Sequence, residues 1–207
     1  MNGNSPELQA RNLGCLRGES WLFERLSFGV ARGEIVQIEG TNGSGKTSLL
    51  RILAGLRAPS EGQVLWRGGD IAERRAAFWA EAVYLGHHLG LKAELSVAEN
   101  LRFAAALRGP IQSSVAAALA TVGLAERGDA LVGTLSAGQR QRVALARVIA
   151  SGASLWLLDE PFTALDASGI ALVQKLLDEH AAQGGLAVLS SHQAVALSGG
   201  LSRLTLA

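Results

Sequence analysis

Apolar positions change their spacing along this chain, and the changes divide it into elements. Leu8 to Arg17 alternates loosely, and Trp21 to Val30 carries Leu22, Leu26, Phe28 and Val30, the last two at period two. Two early strands are predicted. Arg32-Gly33-Glu34 makes a turn before the apolar run Ile35-Val36-Gln37-Ile38, a third strand, and Ser48 to Leu53 reads as helix. Leu56 to Gly62 holds Pro59 and Gly62 and predicts a loop. Gln63 to Trp66 then predicts a short strand ended by Gly68-Gly69. Near Gly86 the pattern shifts. Apolar residues recur at helical spacing from Val97 to Leu107, and Ser113 to Gly123 is alanine-rich and helical, with Gly109-Pro110 between them. A further helix runs from Ala137 through Val143, Ala146, Val148 and Ile149 to Ser151-Gly152. Leu155 to Leu158 and Leu186 to Leu189 predict buried strands on either side of a helix from Ile170 to His180. The expectation is one α/β domain over residues 1–207. Its core, about 1–88 and 133–207, joins an antiparallel sheet to a parallel one, and a helical insert fills about 89–132.

Composition narrows the classes. Hydrophobic residues make up 48% and charged residues 18% of 207, a balance that excludes disorder. A net charge of +1 leaves no electrostatic footprint for nucleic acid. Cys15 is the single cysteine, so no internal disulfide forms and a reducing compartment fits. Met1 to Gln9 lacks the charged-then-apolar order of a signal peptide. No apolar run approaches the ~18–20 residues of a membrane helix, so the chain is expected to be soluble by itself. Mean hydropathy of +0.23 is high for a soluble domain and points to apolar surface reserved for a partner.

The chemistry concentrates in Gly40-Thr41-Asn42-Gly43-Ser44-Gly45-Lys46-Thr47, between a predicted strand and a predicted helix. Strand, glycine-rich loop, Lys-Thr and helix is the layout of a P-loop. A nucleoside triphosphate crowds negative charge onto neighbouring oxygens. Glycines let successive N–H groups turn inward to meet it, and the helix N-terminus adds partial positive charge. Lys46 is expected to reach the β- and γ-phosphates and Thr47 to ligate Mg2+, with Ser48 opening the helix behind them. At the end of an apolar strand, Asp159 and Glu160 supply a carboxylate for Mg2+ and a general base for the attacking water. Upstream, Leu135-Ser136-Ala137-Gly138-Gln139 precedes a helix, so Ser136 and Gly138 could offer a hydroxyl and amides to an anion. The same stretch could be a plain helix cap. The phosphates already have one P-loop, so a second anion site makes sense if it meets the nucleotide of another copy.

Gly40–Thr47, Leu135–Gln139, Leu155–Glu160, Thr163-Ala164-Leu165-Asp166 and His192 resemble, in order, five motifs of ATP-binding-cassette nucleotide-binding domains. These are the Walker A, signature, Walker B, D-loop and switch-histidine motifs. The resemblance spans essentially the whole chain. It implies an ABC-type ATPase with a P-loop NTPase (RecA-like) core. It also implies head-to-tail dimers, in which each ATP lies between one copy's P-loop and the signature (Ser136, Gly138, Gln139) and Asp166 of the other. His192 would contact the γ-phosphate and position water with Glu160. Two positions depart from the pattern. The register of the usual adenine-stacking aromatic falls on Arg17, with Trp21 nearby and, at strand spacing, expected in the core. The Q-loop glutamine register falls on His87, which can ligand Mg2+ or water through a neutral ring nitrogen.

Within the family, Val36–Gly40, Leu85-Gly86-His87-His88 through Leu91–Leu95, Leu155–Ala164 and Ser191-His192-Gln193 look like the ATP-binding subunit of bacterial cytochrome c maturation (heme exporter) complexes. That likeness implies integral membrane permease subunits as partners and a peripheral place on the cytoplasmic face of the inner membrane. The closest rivals are the ATPase of another transporter, for lipoprotein, lipid or nutrient, and a non-transport cassette. A GTPase would need an Asn-Lys-x-Asp motif, which is absent. Phe78 to Leu95 is the expected docking segment for a membrane subunit, with Trp79 and Leu89 as its exposed apolar anchors.

Overall fold

The computed structural model describes residues 5–108, 114–193 and 195–206, without the Arg108 side chain. Gly109-Pro110, Ser113 and the first four residues lie outside the described residues. The first strands are β1 (Leu8–Arg17), β2 (Ser20–Val30) and β3 (Ile35–Glu39), followed by helix α1 (Lys46–Leu53). Next come β4 (Glu61–Trp66), β5 (Gly69–Asp70), α2 (Arg75–Glu81), β6 (Ala82–Leu85), α3 (Val97–Arg108) and α4 (Val115–Thr121). The chain continues through α5 (Ala137–Ala150), β7 (Leu155–Asp159), α6 (Ala167–Ala182), β8 (Leu186–Ser190) and β9 (Ser202–Thr205).

Two sheets result. One is antiparallel in the order β2-β1-β4-β5, and the other is parallel in the order β6-β7-β8-β3-β9. Strands buried on both faces need near-continuous apolar runs, and β7 and β8 have them up to their last residues, Asp159 and Ser190. Trp156, Leu158, Ala187 and Leu189 face one core with α5, α6 and the insert helices. Leu155, Leu157, Leu186 and Val188 face the other, shared with α1 and the antiparallel sheet. Each fully buried leucine of this set contributes roughly 1.5–3 kcal/mol. Gln37 interrupts β3 with a buried amide, 2% exposed.

The α/β class, the parallel core and the flanking antiparallel sheet agree with the sequence reading. Several details differ. Glu61 and Gly62 belong to β4, not to the preceding loop, and Gly69 opens β5. Helix α6 starts at Ala167, because Asp166 caps it by accepting from the Gly169 amide at 2.8 Å. The pattern gave no signal for α2 or β9. Trp21 is 40% exposed, outside the core. Glycine at position 14 leaves room for its ring, since a Cβ there would stand 2.9 Å from it. Among the described residues no helix is long and apolar enough to cross a membrane.

Candidate functional site

The carboxyl ends of β3, β8 and β7, neighbours at the middle of the parallel sheet, bring the chemistry together. After β3 the chain turns through the P-loop. Gly40 has φ +150°, and a Cβ there would lie 2.5 Å from Ser44 Oγ and 2.8 Å from the Leu206 carbonyl. Only glycine fits that close approach. Gly45 precedes α1 in the left-handed region, φ +101°, and turns the chain into the helix. Lys46 is 8% exposed, and its ammonium donates to the Gly40 and Thr41 carbonyls at 2.7 and 3.0 Å. An ammonium has three donors, so one remains for a phosphate oxygen.

Thr47 Oγ1 donates to Asp159 Oδ1 at 3.1 Å across from β7. Asp159 is 3% exposed, and its Oδ2 is buried without a hydrogen-bond partner. A buried, unpaired carboxylate oxygen beside a threonine hydroxyl is a hard-oxygen donor pair that fits Mg2+. Mg2+ binds through one or two protein oxygens and otherwise takes water and phosphate. Among the described residues no group of three or more His, Cys, Asp or Glu forms an all-protein metal cage. Glu160 adopts φ +53°, disfavoured for a residue with a side chain. Its carboxylate stands 3.5 Å from His192 Nε2.

A cleft of about 390 Å³ is lined by Asn42, Gly43, Gly45, Lys46, Thr47 and Ser48 of the P-loop. Arg17, Leu22, His87, Asp159, Glu160, Thr163 and His192 complete its walls. The two residues that depart from the family pattern, Arg17 and His87, therefore both reach it, whereas Trp21 does not line it. The signature is elsewhere. Ser136 caps α5 in a capping box, accepting from the Gln139 amide at 3.2 Å while Gln139 Oε1 accepts from the Ser136 amide at 2.9 Å. Ser136, Gly138 and Gln139 line a second cleft of about 550 Å³ with Ala164 and Asp166. Asp166 also accepts from Ser168 at 2.9 Å and from Arg142 at 3.4 Å. The Gly169 amide, then the Ser168 hydroxyl, hold its carboxyl below the usual carboxylate range.

Three residues that the sequence reading passed over hold this constellation. Ser190 bonds both Asp159 and the Glu160 amide. Gln37 Nε2 donates to the Ser191 and Gln193 carbonyls at 3.4 and 3.2 Å, which seats the His192 segment on β3. Gln141, buried on α5, donates to the Pro161 carbonyl at 2.9 Å and ties the signature helix to the turn after Glu160. Of these, only the polar residue inside an apolar strand, Gln37, left a mark in the sequence.

The expected docking segment divides. Trp79 lines an apolar groove of about 580 Å³ between the core and α3, together with Leu56, Leu85, Leu107, Arg147 and Val148. Leu89 instead packs against the core and does not line the groove, while its carbonyl accepts from Arg147 at 2.8 Å.

Comparison with known proteins agrees with this geometry. Residues 23–163 match the family described as ABC transporter. The chain is 51% identical over 201 residues to the cytochrome c biogenesis ATP-binding export protein CcmA of Methylococcus capsulatus, covering 96% of this chain and 97% of that protein. An ATP-binding subunit of an ABC transporter superposes with a TM-score of 0.80 at 27% identity, covering 89% of this chain and 79% of the other. A dimeric ATP-binding cassette in a post-hydrolysis state bound to ADP and Pi superposes with a TM-score of 0.76 at 25% identity, covering 90% and 88%. With a family match over residues 23–163 and a relative 51% identical over nearly the full chain, the chain belongs to the ABC transporter family as one of its ATP-binding cassettes.

Proposed function

We propose that this chain is the ATP-hydrolysing subunit of a membrane transporter complex of cytochrome c biogenesis, where it couples ATP turnover to heme handling or export. The observation that carries the reading is the separation of the two clefts. Lys46, Asp159, Glu160 and His192 line one, and Ser136 and Gly138 line the other. A signature that does not line the cleft of its own P-loop serves the nucleotide of a second copy, so the working unit is a homodimer with two shared sites. The export role follows the printed name of a relative 51% identical over nearly the full chain.

In each site the P-loop amides from Gly40 to Thr47 and the Lys46 ammonium hold the β- and γ-phosphates. Thr47 and Asp159 would hold Mg2+, which would draw charge off the phosphate oxygens, and His87, lining the same cleft, would serve as a further ligand to metal or water. Glu160 takes the proton of the attacking water as its oxygen bonds to the γ-phosphorus, and the bond to ADP breaks to give ADP and phosphate. His192, 3.5 Å from Glu160, orients that water and the γ-phosphate. The partner's Ser136, Gly138, Gln139 and Asp166 close the site from the other side. Integral membrane subunits of the cytochrome c maturation system seat in the apolar groove at Trp79 and Leu107. They hold the dimer on the cytoplasmic face of the bacterial inner membrane, and a net charge of +1 gives no purchase for nucleic acid.

The division of roles is tested by two variants. Glu160→Gln should keep ATP·Mg2+ binding and accumulate as a dimer while turnover falls ~10²-fold or more. Lys46→Ala should weaken nucleotide binding itself. Equal loss of ATP binding in both variants, measured by equilibrium titration, would sink the assignment.

A further inference from the structure

Ser190 is the last residue of β8, level with Asp159 on β7 and with Ile38 on β3. It is fully buried, 0% exposed. Its hydroxyl donates to Asp159 Oδ1 at 2.7 Å and accepts from the Glu160 amide at 3.0 Å. Asp159 Oδ1 also accepts from Thr47 at 3.1 Å. Two hydroxyls therefore occupy Oδ1 and turn the carboxylate so that Oδ2, buried and without a partner, is left to face a metal's shell. The second bond acts on the backbone. Glu160 sits at φ +53°, and a residue with a side chain stays in that region only where its surroundings hold it. Ser190 holds it by the amide.

We propose that Ser190 is a positioning residue for ATP hydrolysis: one buried hydroxyl fixes the orientation of the metal-facing Asp159 and anchors the turn that aims Glu160 at the attacking water. The inference rests on the roles proposed above for Asp159 and Glu160. A hydroxyl suits the position because it donates in one direction and accepts in another. Alanine offers neither bond, and valine matches threonine in shape without the hydroxyl.

The test uses the purified full chain with Ser190→Ala, Ser190→Thr and Ser190→Val. Steady-state turnover is measured alongside binding of a fluorescent ATP analogue titrated with Mg2+. In Ser190→Ala, kcat should fall about tenfold and the half-saturating Mg2+ in the binding titration should rise about tenfold. Binding at saturating Mg2+ should stay near that of the parent. Ser190→Thr should restore both quantities, and Ser190→Val should not. Threonine and valine add the same volume to a buried site, so packing strain cancels between them. A valine variant with the Mg2+ dependence and kcat of the threonine variant overturns the proposal, even if the alanine variant is too unstable to purify. Asp159→Asn separates the premise from the inference. If Asp159→Asn leaves Mg2+ dependence unchanged, the metal role of Asp159 fails and this inference with it. If Asp159→Asn shifts it and Ser190→Ala does not, the inference alone fails.

Discussion

His180 lies face to face with Trp156, ring centroids 3.8 Å apart and planes within 12°, with Nε2 3.3 Å from the Leu186 carbonyl. Burial pushes its pKa below the ordinary 6.5, against a smaller upward pull from the Leu186 and Ser154 carbonyls. The unfolded chain therefore takes up a proton near pH 6.5 while the folded chain resists it. The stability that this imidazole contributes is present above pH 6.5 and is lost as pH falls from there through the lower folded value. His180→Phe keeps a ring against Trp156 without a titrating group. Urea midpoints of the parent should drop relative to His180→Phe between pH 7 and 5, and parallel curves would show that this histidine does not set the acid limb. Residue roles of this kind were legible only where the chain carries them contiguously. Lys46, Thr47, Asp159 and Glu160 stand in short runs whose order is dictated by phosphate and metal chemistry. Ser190 and Gln141 act across space, through parallel strand register and helix packing. Nothing in the sequence around them says which carboxylate or carbonyl they will meet.

At the level of elements, α5 shows how a structural device and a functional one share residues. Ser136 and Gln139 close a capping box on the helix end that also presents Gly138. A Cβ at Gly138 would stand 2.8 Å from the Ala164 carbonyl, in the turn that leads to Asp166. Glycine is thus needed for close approach to the D-loop, whatever else the amide meets. Gly138→Val should displace that turn and block the closed dimer. Hydrolysis should become undetectable, while nucleotide binding at the P-loop, remote in its own cleft, stays within about twofold of the parent. Parental turnover in this variant would show that the signature does not meet a nucleotide. Elements themselves were legible in proportion to their burial. Strands β7 and β8 are apolar at every position before the last and α5 has a full amphipathic period, so their patterns predicted them. Helix α2 is seven residues long and buries only Phe78, and β9 pairs along one edge as Ser202-Arg203-Leu204-Thr205, too polar to signal a strand.

For the whole molecule, the surface left apolar by folding is the feature that most constrains what surrounds it. Leu107 is 74% exposed and Leu56 55% exposed, yet both line one groove with Trp79 between the α/β core and α3. Isolated exposed leucines are ordinary, but a concave cluster of them marks a binding surface. The groove is bounded by Arg147 on α5, whose guanidinium donates to the Leu89 and Gly90 carbonyls at 2.8 and 3.1 Å, just beyond His87. An occupant of the groove would therefore press on the same segment that lines the nucleotide cleft. Trp79 is a poor probe of docking, since it packs edge-on against the buried Phe78 with centroids 5.8 Å apart, and its loss would open the core. Leu107 is the cleaner one. Leu107→Asp adds charge to an exposed site without vacating packed volume, so the thermal midpoint and basal ATP hydrolysis of the isolated chain should stay close to those of the parent. In membranes that carry the transporter subunits, the variant should no longer co-sediment, and stimulation of ATPase activity by those subunits should disappear. Leu56→Asp, in the same groove, should act in the same way. If both variants sediment with the membrane fraction as the parent does, the partner binds a different face of the cassette.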